Sequence, residues 1–323
     1  MARGNTEFKE IFRGRALGTG GVTRFSTEFP LGEGWYRMIL RFNHVVTIGT
    51  GTGPLAQGGL RAIRGITLRS DKAEFFCNNC PGRALYFFDQ VNAGTPAKLD
   101  TIAAASATYI AVVPLWFYQP RMLKPEDYLI NTARYSAITL EVTYGGVADL
   151  YSTVGTATVA PTLDCKVERQ RGAIPKPIRP RFFVEYGVRT PLDPNATQEI
   201  LMERAANLSY MRWLLFGSNT TTISGVPFSG DQADIFNDIT VDHDAAKPYE
   251  TILHAMLNAL NKTDYSFESQ VVGLDVLDYV RDGSFMSQLY SGDKSRLSMK
   301  WTNGTLGATP QVSLAYLATR PLV

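Results

Sequence analysis

A chain of 323 residues with 45% hydrophobic content can bury one large core or two of ordinary size. Its 32 basic and 30 acidic side chains leave a net charge of +2, which removes any global electrostatic signature of a nucleic-acid or membrane-surface binder. Three cysteines are too few for a secreted disulfide framework, and no apolar run reaches the ~18 residues that span a bilayer.

The first element is a basic arm, MARGNTEFKEIFRGRALGTGG. Its spacing predicts a short helix with Phe8, Ile11 and Phe12 on one side and Arg3, Lys9, Arg13 and Arg15 supplying charge around it. Two readings stand open for it: packing against its own or a neighbouring subunit, or contact with an anionic lipid surface. The alternating strands that supply a core begin only near Trp35, so the arm is expected to lie outside the fold. Nothing in it resembles a signal peptide, and synthesis in a host cytoplasm is expected.

From Trp35 onward the strongest pattern is period-two alternation, which gives a strand one apolar face. In WYRMILRFN, Tyr36, Met38, Leu40 and Phe42 share a face, with Arg37, Ile39, Arg41 and Asn43 on the other. The glycine-rich stretch 49–59 reads as a connecting loop. Next, FFCNNCPG at 75–82 places Cys77 and Cys80 in CxxC spacing. Structural zinc needs a second ligand pair, which neither Cys165 nor His44, His243 and His254 supplies. A redox pair is expected at a helix start, where the dipole lowers a thiol pKa, whereas Pro81-Gly82 suit a turn. The stretch is therefore read as a turn between strands whose thiols lie near enough to oxidise. Cofactors and metals are expected to be absent.

A weak alanine-rich helix is predicted near 96–107, followed by strands YIAVVPLWFY and AITLEVTY, the latter with Ile138, Leu140, Val142 and Tyr144 on one face. In LDCKVERQR, Cys165 alternates with Leu163 and Val167 as a buried strand thiol. The segment RQRGAIPKPIRPRF follows, in which Pro175, Pro177 and Pro180 predict an extended connection. From Lys166 to Arg181 it carries six basic residues and one acidic, a solvated linker or a docking strip for an acidic partner. The second half repeats the organisation of the first. An amphipathic helix is predicted from Tyr249, with Ile252, Leu253, Met256, Leu257 and Leu260 as its stripe and Pro248 in its first turn. Strands VVGLDVLDYV, RLSMKWT and QVSLAYLATR come after it.

Acidic residues do not gather as a catalytic or metal site. Asp238, Asp242, His243 and Asp244 lack the glycine and distal glutamate of a calcium loop, and they read as a strand end leading into a helix. Asp275 and Asp278 fall on opposite faces of one strand. No nucleophile elbow, phosphate loop or metalloprotease motif is present, and an enzyme is not expected. The five Asn-x-Ser/Thr matches, at Asn195, Asn207, Asn219, Asn261 and Asn303, matter only in a glycosylating host.

The strands ALYFFDQVN and YIAVVPLWFY, the opening RPRFFVEYGVRTPL, YMRWLLFG at 210–217 and VLDYVRDGSFMSQL at 276–289 make the chain resemble the double jelly-roll major capsid proteins of tailless icosahedral viruses, notably internal-membrane-containing bacteriophages. The fold this implies is all-β: two tandem eight-stranded jelly-roll sandwiches, each with a short inserted helix. The expected organisation is an arm and lead-in at 1–34, a first jelly roll at 35–172, a connector at 173–180 and a second jelly roll at 181–323. The resemblance implies a homotrimer forming pseudo-hexagonal capsomers of an icosahedral shell over an internal membrane. Its implied partners are neighbouring capsomers, minor capsid or penton proteins and lipid, with no specific nucleic-acid binding and a place in the virion. Loops such as 217–233 would project outward or lock neighbours. The competing reading is a carbohydrate- or receptor-binding β-sandwich of the spike type.

Overall fold

A computed structural model of the chain describes residues 6–26, 29–50, 52–94, 97–118, 128–170, 181–189, 196–205, 208–219, 235–243, 246–265, 274–280, 289–292, 296–304, 306 and 310–320. The connector at 173–180, Arg3, Asp244 and most of the loop 217–233 lie outside these residues. The chain divides into two compact units, Met1–Val184 and Glu185–Pro321.

In chain order the first unit contains β1 (Thr6–Ala16), β2 (Gly21–Phe25), β3 (Gly34–Thr47), β4 (Thr52–Pro54), α1 (Gly58–Arg61), β5 (Ile63–Ser70), β6 (Phe75–Cys80), α2 (Gly82–Ala93), β7 (Ala107–Trp116), β8 (Ile130–Asn131), β9 (Ile138–Tyr144), β10 (Tyr151–Thr153) and β11 (Thr158–Gln170). Strands β1-β11-β3-β7 form one antiparallel sheet, and β6-β5-β9-β2 run side by side in another. Register stacks the apolar alternation into layers: Leu40 lies opposite Cys165 and Val113, and Phe42 opposite Leu163 and Ala111, all fully buried. Across the core, Ile66 pairs with Val142 and Leu68 with Leu140, again without exposure. Each such side chain contributes about 1.5–3 kcal/mol when removed from water. A pattern of period two thus becomes two sheets with one interior.

The second unit contains β13 (Thr197–Leu201), β14 (Ser209–Asn219), β15 (Phe236–His243), β16 (Ala246–Leu253), α3 (His254–Asp264), β17 (Leu274–Asp278), β18 (Leu289–Tyr290), β19 (Leu297–Asn303) and β20 (Pro310–Arg320); the division between units falls within β12 (Arg181–Arg189). Strands β17-β14-β20 form one sheet, with β18 also on β14, and β13-β19-β15-β16 form another. Trp213 lies between Leu277 and Tyr316, and Ile239 between Ile252 and Trp301.

Several local expectations are corrected. The run ALYFFDQVN is the body of α2, because Ala84, Leu85, Phe88 and Val91 recur at three and four residues and are buried together. Among the described residues 97–107 the predicted helix does not form: Lys98 to Asp100 run beside β7, bridged at Leu99–Ala111, and Ala107 already starts the strand. Residues 246–253 are strand, not helix. Pairing of Ile252 with Ile239 and Leu253 with Asp238 satisfies their backbone, and α3 starts only at His254. Asp238 and Asp242 accordingly lead into a hairpin rather than a helix. The stretch 49–59 holds β4 and the start of α1.

Candidate functional site: the N-terminal strand

The arm is a strand. β1 pairs antiparallel with β11 from Thr6–Gln170 to Ala16–Thr162, so its backbone groups bond to a sheet edge instead of closing helical turns. Glu10 pairs with Lys166 and Phe12 with Cys165, which leaves Ile11 as the extra residue of a bulge. That one insertion separates two side chains that an unbroken strand would place on one face. Phe12 enters the interior and is 6% exposed, stacked on Phe25 at 4.7 Å and meeting Phe29 edge-on at 6.2 Å. Phe8 stays on the outer face, 53% exposed, with the Arg37 guanidinium 5.2 Å from its ring centre; the same guanidinium lies 4.6 Å from the ring of Trp116.

Charges clasp the strand to its neighbours. Lys9 Nζ lies 3.1 Å from Glu33, Arg169 donates from Nε to Glu7 at 2.7 Å and also pairs with Glu33, and Lys166 faces Glu10 at 4.0 Å. Gly14 N donates to Asp164 Oδ1 at 2.7 Å, where the glycine's φ of 61° lies in the left-handed region. Of the arm residues singled out by sequence, Phe12 is buried, Lys9 is paired, Ile11 is half-buried, and Phe8, Arg13 and Arg15 are exposed. Glu7, Glu33 and Arg169 were missed. The signal was the opposition of acids in TEFKE to bases in KVERQ, which becomes meaningful only once the two segments are known to pair.

Buried polar groups elsewhere serve the fold. Arg212 Nε donates to Asp278 at 2.7 Å, and the same carboxylate accepts from Tyr265 at 2.8 Å and from Val280 N at 2.9 Å. Asp149 accepts from Arg64 and from Gly146 N. Cys77 and Cys80 are buried thiols of β6, with Pro81 capping α2 directly after them; the expected turn between strands is a strand-to-helix junction. Among the described residues no three His, Cys, Asp or Glu side chains converge as a metal site, and no helix is long and apolar enough to cross a membrane.

No protein-family model matches the sequence, and no curated protein matches it. Solved structures do. The major capsid protein P2 from Bacteriophage PM2 aligns at 11% identity and a TM-score of 0.67, covering 98% of each chain. The STIV MCP, from Sulfolobus Turreted Icosahedral Virus, aligns at 13% identity and a TM-score of 0.75, covering 98% of this chain and 97% of that one. The PBCV-1 virus capsid aligns at 8% identity and a TM-score of 0.65 over 98% of this chain and 94% of its own. At such identities the likeness is one of fold, and it runs end to end through both units: the chain has the double jelly-roll fold.

Proposed function

We propose that this chain is a major capsid protein, a structural subunit without catalytic activity that trimerises into pseudo-hexagonal capsomers and tiles an icosahedral shell over an internal membrane. One observation carries the reading: the likeness to P2 of Bacteriophage PM2 accounts for 98% of both chains, leaving little of either protein for a different task. The jelly rolls at 35–172 and 181–323 would be the two lobes each subunit gives to a six-lobed trimer, with 173–180 as their connector. Closed rotational symmetry suits such a block. Neighbouring capsomers and minor or penton proteins are its partners in the virion, after synthesis in the host cytoplasm.

The arm is the proposed surface towards lipid or a neighbouring subunit. Because Phe12 is committed to its own core, the contact falls to Phe8, Arg13 and Arg15. Electron microscopy of assembled particles, with light scattering of the soluble protein, tests the main reading. Trimers and hexagonally tiled shells are expected, whereas a stable monomer that binds glycans would support the spike-type alternative. For the arm, Arg13→Glu with Arg15→Glu should reduce binding of the full chain to vesicles containing anionic lipid, and salt should weaken wild-type binding by screening. Unchanged binding would remove lipid as the arm's partner.

A further inference from the structure

His44 sits in the interior of the first unit with half of its hydrogen-bonding capacity used. Its side chain is fully buried, and Nδ1 lies 2.6 Å from the Tyr144 hydroxyl on β9. Nε2 has no partner. It faces the backbone of α1 instead: a Cβ placed on Gly59 would stand 3.2 Å from Nε2 and 3.4 Å from Cδ2. A side chain at that position would force the ring or the helix to give by a few tenths of an ångström. Whichever tautomer is present, one ring nitrogen is sealed under α1 without a bond, a state that costs about 1–3 kcal/mol in a buried polar group.

The surroundings give a positive charge nothing to pair with. On β9 the neighbour is the Tyr144 hydroxyl, and burial, with a smaller contribution from the Asp149 charge, pushes its ionisation upward, so it stays protonated. On α1 the charged group is Arg61, whose Nε donates to Ala56 O at 2.7 Å. Asp149 is engaged by Arg64 and Gly146 N. On β7 the residue opposite is Tyr109, whose hydroxyl donates towards the carbonyls of Ala103 and Ala105; on β11 it is Pro161, and further along that strand Asp164 is paired with Arg41.

We propose that His44 is an acid latch: protonation of its imidazole releases α1 and the adjoining 52–62 segment from the first unit while the β3–β11 ladder stays paired. The segment is suited to separate movement. It begins in the short β4–β10 pairing, and its helix is preceded by Gln57 in the left-handed region at φ 55°. Leu60 and Ala62 are buried, and its hydrogen bonds to the rest of the unit include Leu55 N to Leu150 O and Gly145 N to Ala62 O, each 2.8 Å, and Ser152 Oγ to Gly53 O at 3.0 Å. An imidazolium demands two acceptors and solvent, and opening α1 gives Nε2 both.

The sign follows from linkage. Burial lowers the His44 pKa from 6.5 to about 4, so the closed state binds fewer protons than the open one. Closure is therefore fully favoured well above 6.5 and is lost as pH falls towards 4, by up to about tenfold in the opening constant per pH unit for one proton, and by roughly 300-fold in total once the pH is well below 4.

Amide hydrogen exchange of the full-length protein, corrected for intrinsic rates, reads this at Leu60, Arg61 and Ala62, whose N–H groups close α1. Between pH 7 and 5 protection at these amides should fall roughly 20-fold, about threefold over the first unit and about sevenfold over the second, with β3 and β11 amides unchanged, and His44→Gln should abolish the dependence. No pH dependence, an equal dependence in His44→Gln, or simultaneous loss of protection in β3 and β11 would overturn the proposal. Should the variant fail to fold, the wild-type imidazole resonance decides: a His44 titration in step with α1 opening supports the latch, and one out of step with it refutes the latch.

Discussion

The helices α2 and α3 follow a strand and precede another at matching places in their units, yet they meet their surroundings in opposite ways. In α2 nearly every residue is buried, polar Arg83, Asp89, Gln90 and Asn92 included. In α3 Leu257 and Asn261 are buried, whereas Met256 is 58% and Leu260 42% exposed. The termini differ as well. α2 starts at Gly82, where a Cβ would stand 2.7 Å from Ile63 Cβ, and ends at Gly94, whose φ of 78° and bond to Gln90 O close its last turn. An equal place in the strand order therefore does not fix an equal share in the core. What decides is whether the unit supplies a close floor for the helix, as Ile63 does under Gly82.

The sharpest way to break this contrast is Phe88→Ala in α2, which should cost about 3–5 kcal/mol in chemical denaturation, because the ring is buried and its packed surroundings fill the cavity only in part. A loss below 1 kcal/mol would mean that α2 is not core. Next in size is Asp89→Asn. The carboxylate accepts from Trp116 Nε1 at 2.7 Å and from Ala97 N at 3.0 Å, so an amide leaves one donor poorly matched, at about 1–3 kcal/mol. Burial raises the Asp89 pKa against the opposing pull of those two bonds and of Arg37. The native state then holds the proton more tightly than the unfolded one. Its contribution is complete below the ordinary carboxylate range and is lost as pH rises through the raised value. Denaturation measured across that range should show this decline in the wild type and not in Asp89→Asn. The smallest effect belongs to α3: Met256→Gln with Leu260→Gln should shift the stability of the isolated subunit by no more than about 0.5 kcal/mol each, as at ordinary exposed positions. A loss of several kcal/mol would erase the difference between the helices.

How far the sequence exposed this arrangement depended on the residue pattern. Strands β3, β9 and β19 were legible because Tyr36 to Phe42, Ile138 to Tyr144 and Leu297 to Trp301 alternate without interruption, and those side chains are buried. The two-sandwich fold was legible for the same reason. α2 was not, since LYFF is aromatic and continuous, and a run without gaps fits a strand or a buried helix equally. The stripe at Ile252 to Leu260 pointed to one helix although it spans a strand end and a helix start, because spacing alone carries no information about the hairpin that pairs Ile252 with Ile239. In the arm, helical spacing of Phe8 and Phe12 concealed a bulge. The alternation that buries Leu40 and Phe42 also puts His44 in the interior, while its orphaned Nε2 lies beside Gly59, fifteen residues away in sequence, which no local pattern shows.

The pairing of β1 with β11 sets a schedule for synthesis on the ribosome. Thr6 meets Gln170 and Ala16 meets Thr162, so β1 leaves the exit tunnel long before its partner β11 appears. At about 5–20 residues per second the interval of some 150 residues is on the order of 10–30 s. Throughout it the segment is a lone edge strand carrying Phe8, Ile11 and Phe12. Its interspersed Glu7, Lys9, Glu10, Arg13 and Arg15 act then as guards against pairing with other nascent chains, before Lys9, Glu7 and Glu10 take up their places opposite Glu33, Arg169 and Lys166.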